Sequence, residues 1–220
     1  MRVWSEIRYM SVDLDLEQPE KTEEAGSGAS TIVTRLLAGP GVSLLLMAIV
    51  SLATWTGIQA NNADPFILQS PLTEDWWQLP LSVFAHSGMP HLSANATMIA
   101  IFGSVAAISA SVLRYHIFFI VSGMLAGAAH VLATAALGTP SGGLGASGTA
   151  MALMAYVLVS NDVSSFVFDR VSRTVTIGLV LALAVGLSLT SAGVQVGNVA
   201  HLSGALIGGF AGYFHILRPR

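Results

Sequence analysis

The chain has 220 residues, 53% hydrophobic and only 10% charged, with a mean hydropathy of +0.70. A soluble domain carries roughly 25% charged residues, so a polytopic membrane protein is expected. There is no cysteine, which excludes disulfides, thiolate nucleophiles and thiolate metal sites, and a formal charge of -3 with nine scattered Lys and Arg does not point to nucleic acid.

The N-terminal stretch to Gly28 carries Glu6, Asp13, Asp15, Glu17, Glu20, Glu23 and Glu24 without an apolar core, unlike a cleavable signal peptide. Residues 1–35 are expected to form a polar, disordered cytoplasmic tail and 36–220 a single membrane domain. A spanning helix needs about 20 apolar residues. Such windows occur at Pro40 to Ile58, His91 to Ala110, Tyr115 to Ala136, Thr174 to Leu189 and Asn198 to Leu217, and a shorter apolar run covers Gly148 to Ser160. Six spans follow. With that count Arg2, Arg8, Lys21, Arg35, Arg114, Arg170, Arg173, Arg218 and Arg220 all fall on one side of the bilayer, and the opposite loops contain no Lys or Arg. By the positive-inside rule both termini are cytoplasmic. The first outer loop, Gln59 to Pro90, carries Trp76-Trp77, which fits either a segment lying in the membrane interface or an ordinary aromatic belt.

No Asp or Glu lies within a span, against an intramembrane aspartyl protease, and there is no His-Glu-x-x-His of a zinc protease. The spans do contain histidine, and an ionisable group at that depth is a functional-site hypothesis. A Gly-rich loop, Thr139 to Gly148, delivers Ser147 to the start of span 4; His201 lies three residues into span 6; His91 and Asn95 open span 2. All three spans start from the outer face. At about 1.5 Å per residue His201 is roughly 4.5 Å down its helix and Asn95 roughly 6 Å below His91. Span 4 covers only about 21 Å of a core about 30 Å thick, so the loop before it must re-enter the membrane. Irregular backbone at that depth needs protein or water around it, and hydrolysis needs such water.

Serine requires an adjacent base, and His201 has the matching depth. Gly204-x-x-x-Gly208-x-x-x-Gly212 in span 6 permits close approach to another helix, with Gly148, Ala152 and Ala155 of span 4 as the expected opposing surface. His91 and Asn95, at i and i+4, share a helix face. With the Ser147 N–H they offer three donors to a developing oxyanion. His130 is expected to make a polar contact near the site and His86 to shape its entrance. His116 and His215 are expected at the cytoplasmic interface. A His86/His91 metal site lacks a third ligand, and no cofactor or metal is expected.

Gly145-Ala146-Ser147-Gly148 before span 4, Ala200-His201-Leu202-Ser203-Gly204 opening span 6 and His91-Leu92-Ser93-Ala94-Asn95 opening span 2 resemble the rhomboid family of intramembrane serine proteases. The resemblance runs from Trp76 to Tyr213. It implies an all-α, six-transmembrane-helix bundle with a Ser147–His201 dyad, and an oxyanion site at His91, Asn95 and the Ser147 amide. Substrates are then single-pass membrane proteins cut at small residues in or near the bilayer. Two positions depart from the family pattern: Trp77-Gln78 stands where many members have Trp-Arg, and Met151 where bacterial members often have a tyrosine stacked on the catalytic histidine. A thioether can still pack on an imidazole. Two other classes are a non-catalytic rhomboid-like protein that binds membrane helices, which characteristically lacks the nucleophile or base retained here, and a channel or transporter, which needs a polar path across the whole bilayer. Residue usage, with one lysine and an acidic tail, points to a prokaryotic cell membrane.

Overall fold

The computed structural model describes residues 21–160 and 197–218, with positions 175, 178, 182 and 186 between them. Among these the chain is helical, and an isolated antiparallel bridge joins Leu68 to Gly143. The expected span Thr174 to Leu189 and most of the expected tail lie outside the described residues.

Helix α1 (Lys21–Leu36) runs through a π turn at Leu37–Gly41 into α2 (Val42–Gln59). The helix therefore starts inside the stretch expected to be tail. Pro40 sits within the π turn; it has no N–H to give to the preceding turn, and the wider turn absorbs the missing bond. A 3-10 turn at Asp64–Phe66 and the short helix α3 (Gln78–Phe84) follow. Helix α4 (Met89–Met98) continues through a second π turn, Ile99–Gly103, into α5 (Ser104–Ser109). Helix α6 (Val112–Ala136) starts at Ser111, whose hydroxyl accepts from the Arg114 N–H at 3.3 Å, a side-chain N-cap. Helices α7 (Ser147–Ser160) and α8 (Asn198–Tyr213) complete the described elements. Among the described residues three rods are long and apolar enough to cross a membrane: Ser30–Gln59, Met89–Ser109 and Val112–Ala136. The first starts ten residues before the window read from composition.

Helix α7 is the axis of the packing. Twelve of its 14 residues are buried, whereas α6 leaves Leu113, Ile117, Val121, Leu125 and Leu132 exposed along one stripe. The inward face of α6 puts Phe119 against Phe84, ring centroids 5.6 Å apart, and Thr149 of α7 donates to the Phe119 carbonyl at 2.9 Å. The two π turns converge on Tyr115: a Cβ on Gly39 would lie 3.4 Å from its ring and one on Gly103 2.7 Å from its hydroxyl.

The α7–α8 contact is closer still. A Cβ on Gly204 would overlap the Gly148 carbonyl, one on Gly208 the Ala152 carbonyl, and one on Gly212 would meet the Tyr156 carbonyl at 2.9 Å. The glycine row thus meets Gly148, Ala152 and Tyr156, and the expected Ala155 also faces α8, beside the row. Two rows with the same four-residue spacing lie along each other, and Ala155 packs beside them in a cluster with Ala205 of α8. The backbones touch because no side chain stands between them.

At the end of the bundle away from the Gly-rich loop, basic side chains cap carbonyls. Arg35 donates to Ile108 O at 2.6 Å, His116 to Ala38 O at 2.7 Å and Arg218 to Ser160 O at 2.8 Å, while the Arg114 guanidinium reaches Arg218 O. Arg35 and Arg218 thereby satisfy carbonyls at the last turns of α5 and α7, where a cation also complements the dipole.

Candidate active site

The loop between α6 and α7 is held by its backbone. Leu68 and Gly143 exchange both main-chain bonds, at 2.8 and 2.9 Å, Gly145 N donates to Ser82 O at 2.8 Å, and Ala146 N donates to His86 Nε2 at 3.4 Å. Gly145 has φ +115°, and a Cβ there would lie 2.6 Å from His91 Cε1, 2.7 Å from His91 Nε2 and 3.5 Å from Asn95 Nδ2. Glycine is required on both counts. The loop therefore lies directly on the two polar side chains of α4, and its next-but-one residue, Ser147, opens α7.

A cavity of about 680 Å³ is lined by Ser147 and Met151 from α7, His201 from α8, His91 and Asn95 from α4, and His130 from α6. Residues adjacent in sequence to the Ser/His pair touch, a Cβ on Gly148 falling 3.6 Å from Ala200 O. His201 is the fourth residue of α8, its N–H bonded to Gly197 O at 2.9 Å; a Cβ on Gly197 would lie 3.2 Å from its Cε1, so that glycine leaves the ring its space. Met151, one turn along from Ser147, is buried among Met154, Ala155, Val159 and Ala205. Asn95 is buried and its Nδ2 has no hydrogen-bond partner. His91 Nδ1 lies 3.3 Å from Ser87 Oγ, leaving Nε2 to face the Gly145 side.

His130 keeps its place near the site but not the polar contact, and His86 does not keep its place. His130 is buried in the cavity wall and neither ring nitrogen has a partner. His86 is no entrance residue: it is fully buried behind the Gly-rich loop, in edge contact with the His91 ring at a centroid distance of 4.9 Å. Burial first, then the neighbouring His91, pushes its pKa down to about 4, against a weaker upward pull from the Phe84 carbonyl. Gln78, at the family's arginine position, is also buried. Its Oε1 accepts from Gln69 N at 3.1 Å and its Nε2 donates to Asp64 O at 3.1 Å and Asp75 Oδ2 at 3.3 Å, so an amide knits the outer loop where the pattern has a guanidinium. Trp76 and Trp77 are exposed beside it.

An all-helical membrane protein with serine, two histidines and asparagine meeting at the head of a buried central helix defines a narrow class. The Rhomboid domain family matches residues 73–218, and the chain belongs to that family. It is also similar to Rhomboid protease AarA of Providencia stuartii, 29% identical over 175 residues, which cover 70% of this chain and 60% of that protein. The chain thus spans less than two thirds of that relative's length.

Proposed function

We propose that the protein is an intramembrane serine endopeptidase that hydrolyses peptide bonds of single-pass transmembrane proteins in or near the bilayer. The observation that carries this reading is the shared cavity of Ser147, His201, His91 and Asn95, contributed by three helices. Ser147 Oγ attacks the scissile carbonyl while His201 takes its proton and then passes it to the leaving amine; water attacks the resulting ester, with His201 again as base. As the first residue of α7, Ser147 has an N–H without an intrahelical acceptor. That N–H, the unpaired Asn95 Nδ2 and His91 Nε2 are the donors for the oxyanion. Among the described residues no carboxylate lines the cavity, which fits His201 acting in a dyad, with Met151 in the role of the family's tyrosine.

The same reading takes residues 36–220 as a six-span domain of a prokaryotic cell membrane, both termini cytoplasmic, with the loop before α7 re-entering the bilayer from outside. The length of α7 and the bacterial relative support it. The test is cleavage of a generic single-pass substrate in proteoliposomes, with covalent labelling of Ser147 by a fluorophosphonate. Wild type should cleave and label. Cleavage retained by purified Ser147→Ala would refute the serine mechanism, and a wild-type protein that does neither would indicate a non-catalytic helix-binding member.

A further inference from the structure

His86 does not line the cavity, yet it is fully buried and every polar atom of its ring and carbonyl is engaged. The Ala146 N–H donates to Nε2, so Nε2 is the unprotonated nitrogen and the proton resides on Nδ1. Nδ1 lies 3.0 Å from Ser51 Oγ and 3.1 Å from Phe84 O, and the Ser51 hydroxyl lies 3.3 Å from the same carbonyl. Trp55 Nε1 donates to His86 O at 2.8 Å. One tautomer satisfies the whole set.

The consequence falls on the next peptide. Ala146 is held at its N–H by His86, and its carbonyl accepts from Ala150 N at 2.8 Å in the first turn of α7. In a trans peptide the carbonyl and the following N–H point in opposite directions. With Ala146 O aimed along the helix, the Ser147 N–H is aimed out of its N-terminus, towards the cavity. The other edge of the His86 ring backs His91. We infer that His86 is a positioning residue for the oxyanion site: it anchors the Gly-rich loop to α2, fixes the direction of the Ser147 N–H and supports the His91 ring, without touching substrate.

This rests on the serine-protease reading above, and a group that aims transition-state donors alters kcat, whereas substrate binding does not pass through it. Misplacement of donors by about 1 Å costs up to roughly 100-fold. In proteoliposomes His86→Leu, which keeps bulk but has no acceptor, is expected to lower kcat by about 10- to 100-fold with KM within about twofold, and to slow fluorophosphonate labelling of Ser147 in parallel. His86→Gln, whose Oε1 can accept from Ala146 N–H, should restore most of both rates. Ser51→Ala removes only the hydroxyl partner of Nδ1 and should cost a few-fold in kcat, so the question remains decidable if His86→Leu does not fold. Wild-type kcat in folded His86→Leu, a KM rise that accounts for the loss, or His86→Gln no better than His86→Leu would overturn the assignment. Failure of the underlying reading looks different, because wild-type Ser147 would then not be labelled at all.

Discussion

The two flanks of α7 are held by opposite means. Along α8 the contact is backbone on backbone, with no room for a methyl group at Gly204 or Gly208. At the head of the same helix the contacts are hydrogen bonds: N–H groups of the Gly-rich loop donate to His86 Nε2 and Ser82 O, and Leu68 exchanges both main-chain bonds with Gly143. Next to them, Asn95 Nδ2 and both nitrogens of His130 have no partner. Close backbone packing makes the rigid seam, and the polar flank keeps donors free for a developing charge. Rigidity and reactivity thus share one 14-residue helix by being placed on different faces and ends of it.

Breaking the reactive flank should give the largest effects. Ser147→Ala or His201→Ala is expected to abolish cleavage, a fall of at least about 1,000-fold in turnover, while the thermal unfolding midpoint in detergent stays near wild type, because neither side chain carries the seam. Asn95→Ala removes one of three donors and should lower kcat by about 100- to 1,000-fold. His91→Ala should resemble it, and an unchanged turnover at saturating substrate in both would refute their role.

The seam is tested by stability instead. Gly208→Ala forces a methyl into the Ala152 carbonyl, whereas nothing lies within 4 Å of a Cβ on Gly209. Overpacking costs typically 1 to 3 kcal/mol, so Gly208→Ala should lose at least about that much. Gly209→Ala should be neutral or gain up to about 1 kcal/mol from helix propensity. Equal unfolding midpoints for this adjacent pair would show that the seam is looser than described.

Met151 lies where the two flanks meet. Met151→Ala should reduce turnover about three- to tenfold by freeing the His201 ring, and Met151→Tyr should preserve or raise it. An unchanged rate in Met151→Ala would assign the orientation of His201 elsewhere, with His130 and Asn198 next.

The smallest effect concerns pH. His86 has a pKa of about 4 in the fold against an ordinary 6.5, so between those values the unfolded chain binds more protons. The stabilising contribution of the neutral ring is complete above about pH 6.5 and is lost as pH falls towards 4. The unfolding midpoint of wild type should therefore drop more steeply across that window than that of His86→Gln, with His91 titrating in both. Parallel curves would place the acid sensitivity outside His86.

The helix starts that carry the four polar residues were legible in the sequence, because apolar windows and rise per residue are local properties of the chain. They are expected to bring Ser147, His201, His91 and Asn95 together, and those four line one cavity. The Gly204, Gly208 and Gly212 row was equally legible, with Gly148 and Ala152 opposite it and Ala155 beside it; Tyr156, which meets Gly212, was not, since spacing does not specify how a helix is rotated. The His86 network was hidden. Its partners Ser51 and Ala146 are 35 and 60 residues away, and one of them is a main-chain amide that carries no signal in residue type. Gln78 was hidden for the same reason, as two of its three partners are backbone atoms.

The guanidinium of Arg218 on the last carbonyl of α7 makes that end of the helix a fixed post. On the six-span reading α7 is shorter than the bilayer core is thick, and a helix tied at the bottom cannot share its shortfall between both leaflets. All of the mismatch then accumulates above Ser147, so lipid chain length becomes a control on how far water and a substrate backbone must descend to reach it. Turnover measured in bilayers of increasing acyl length should fall steadily for wild type, and Arg218→Ala, with the post released, should flatten that dependence; a wild-type rate indifferent to thickness would contradict it.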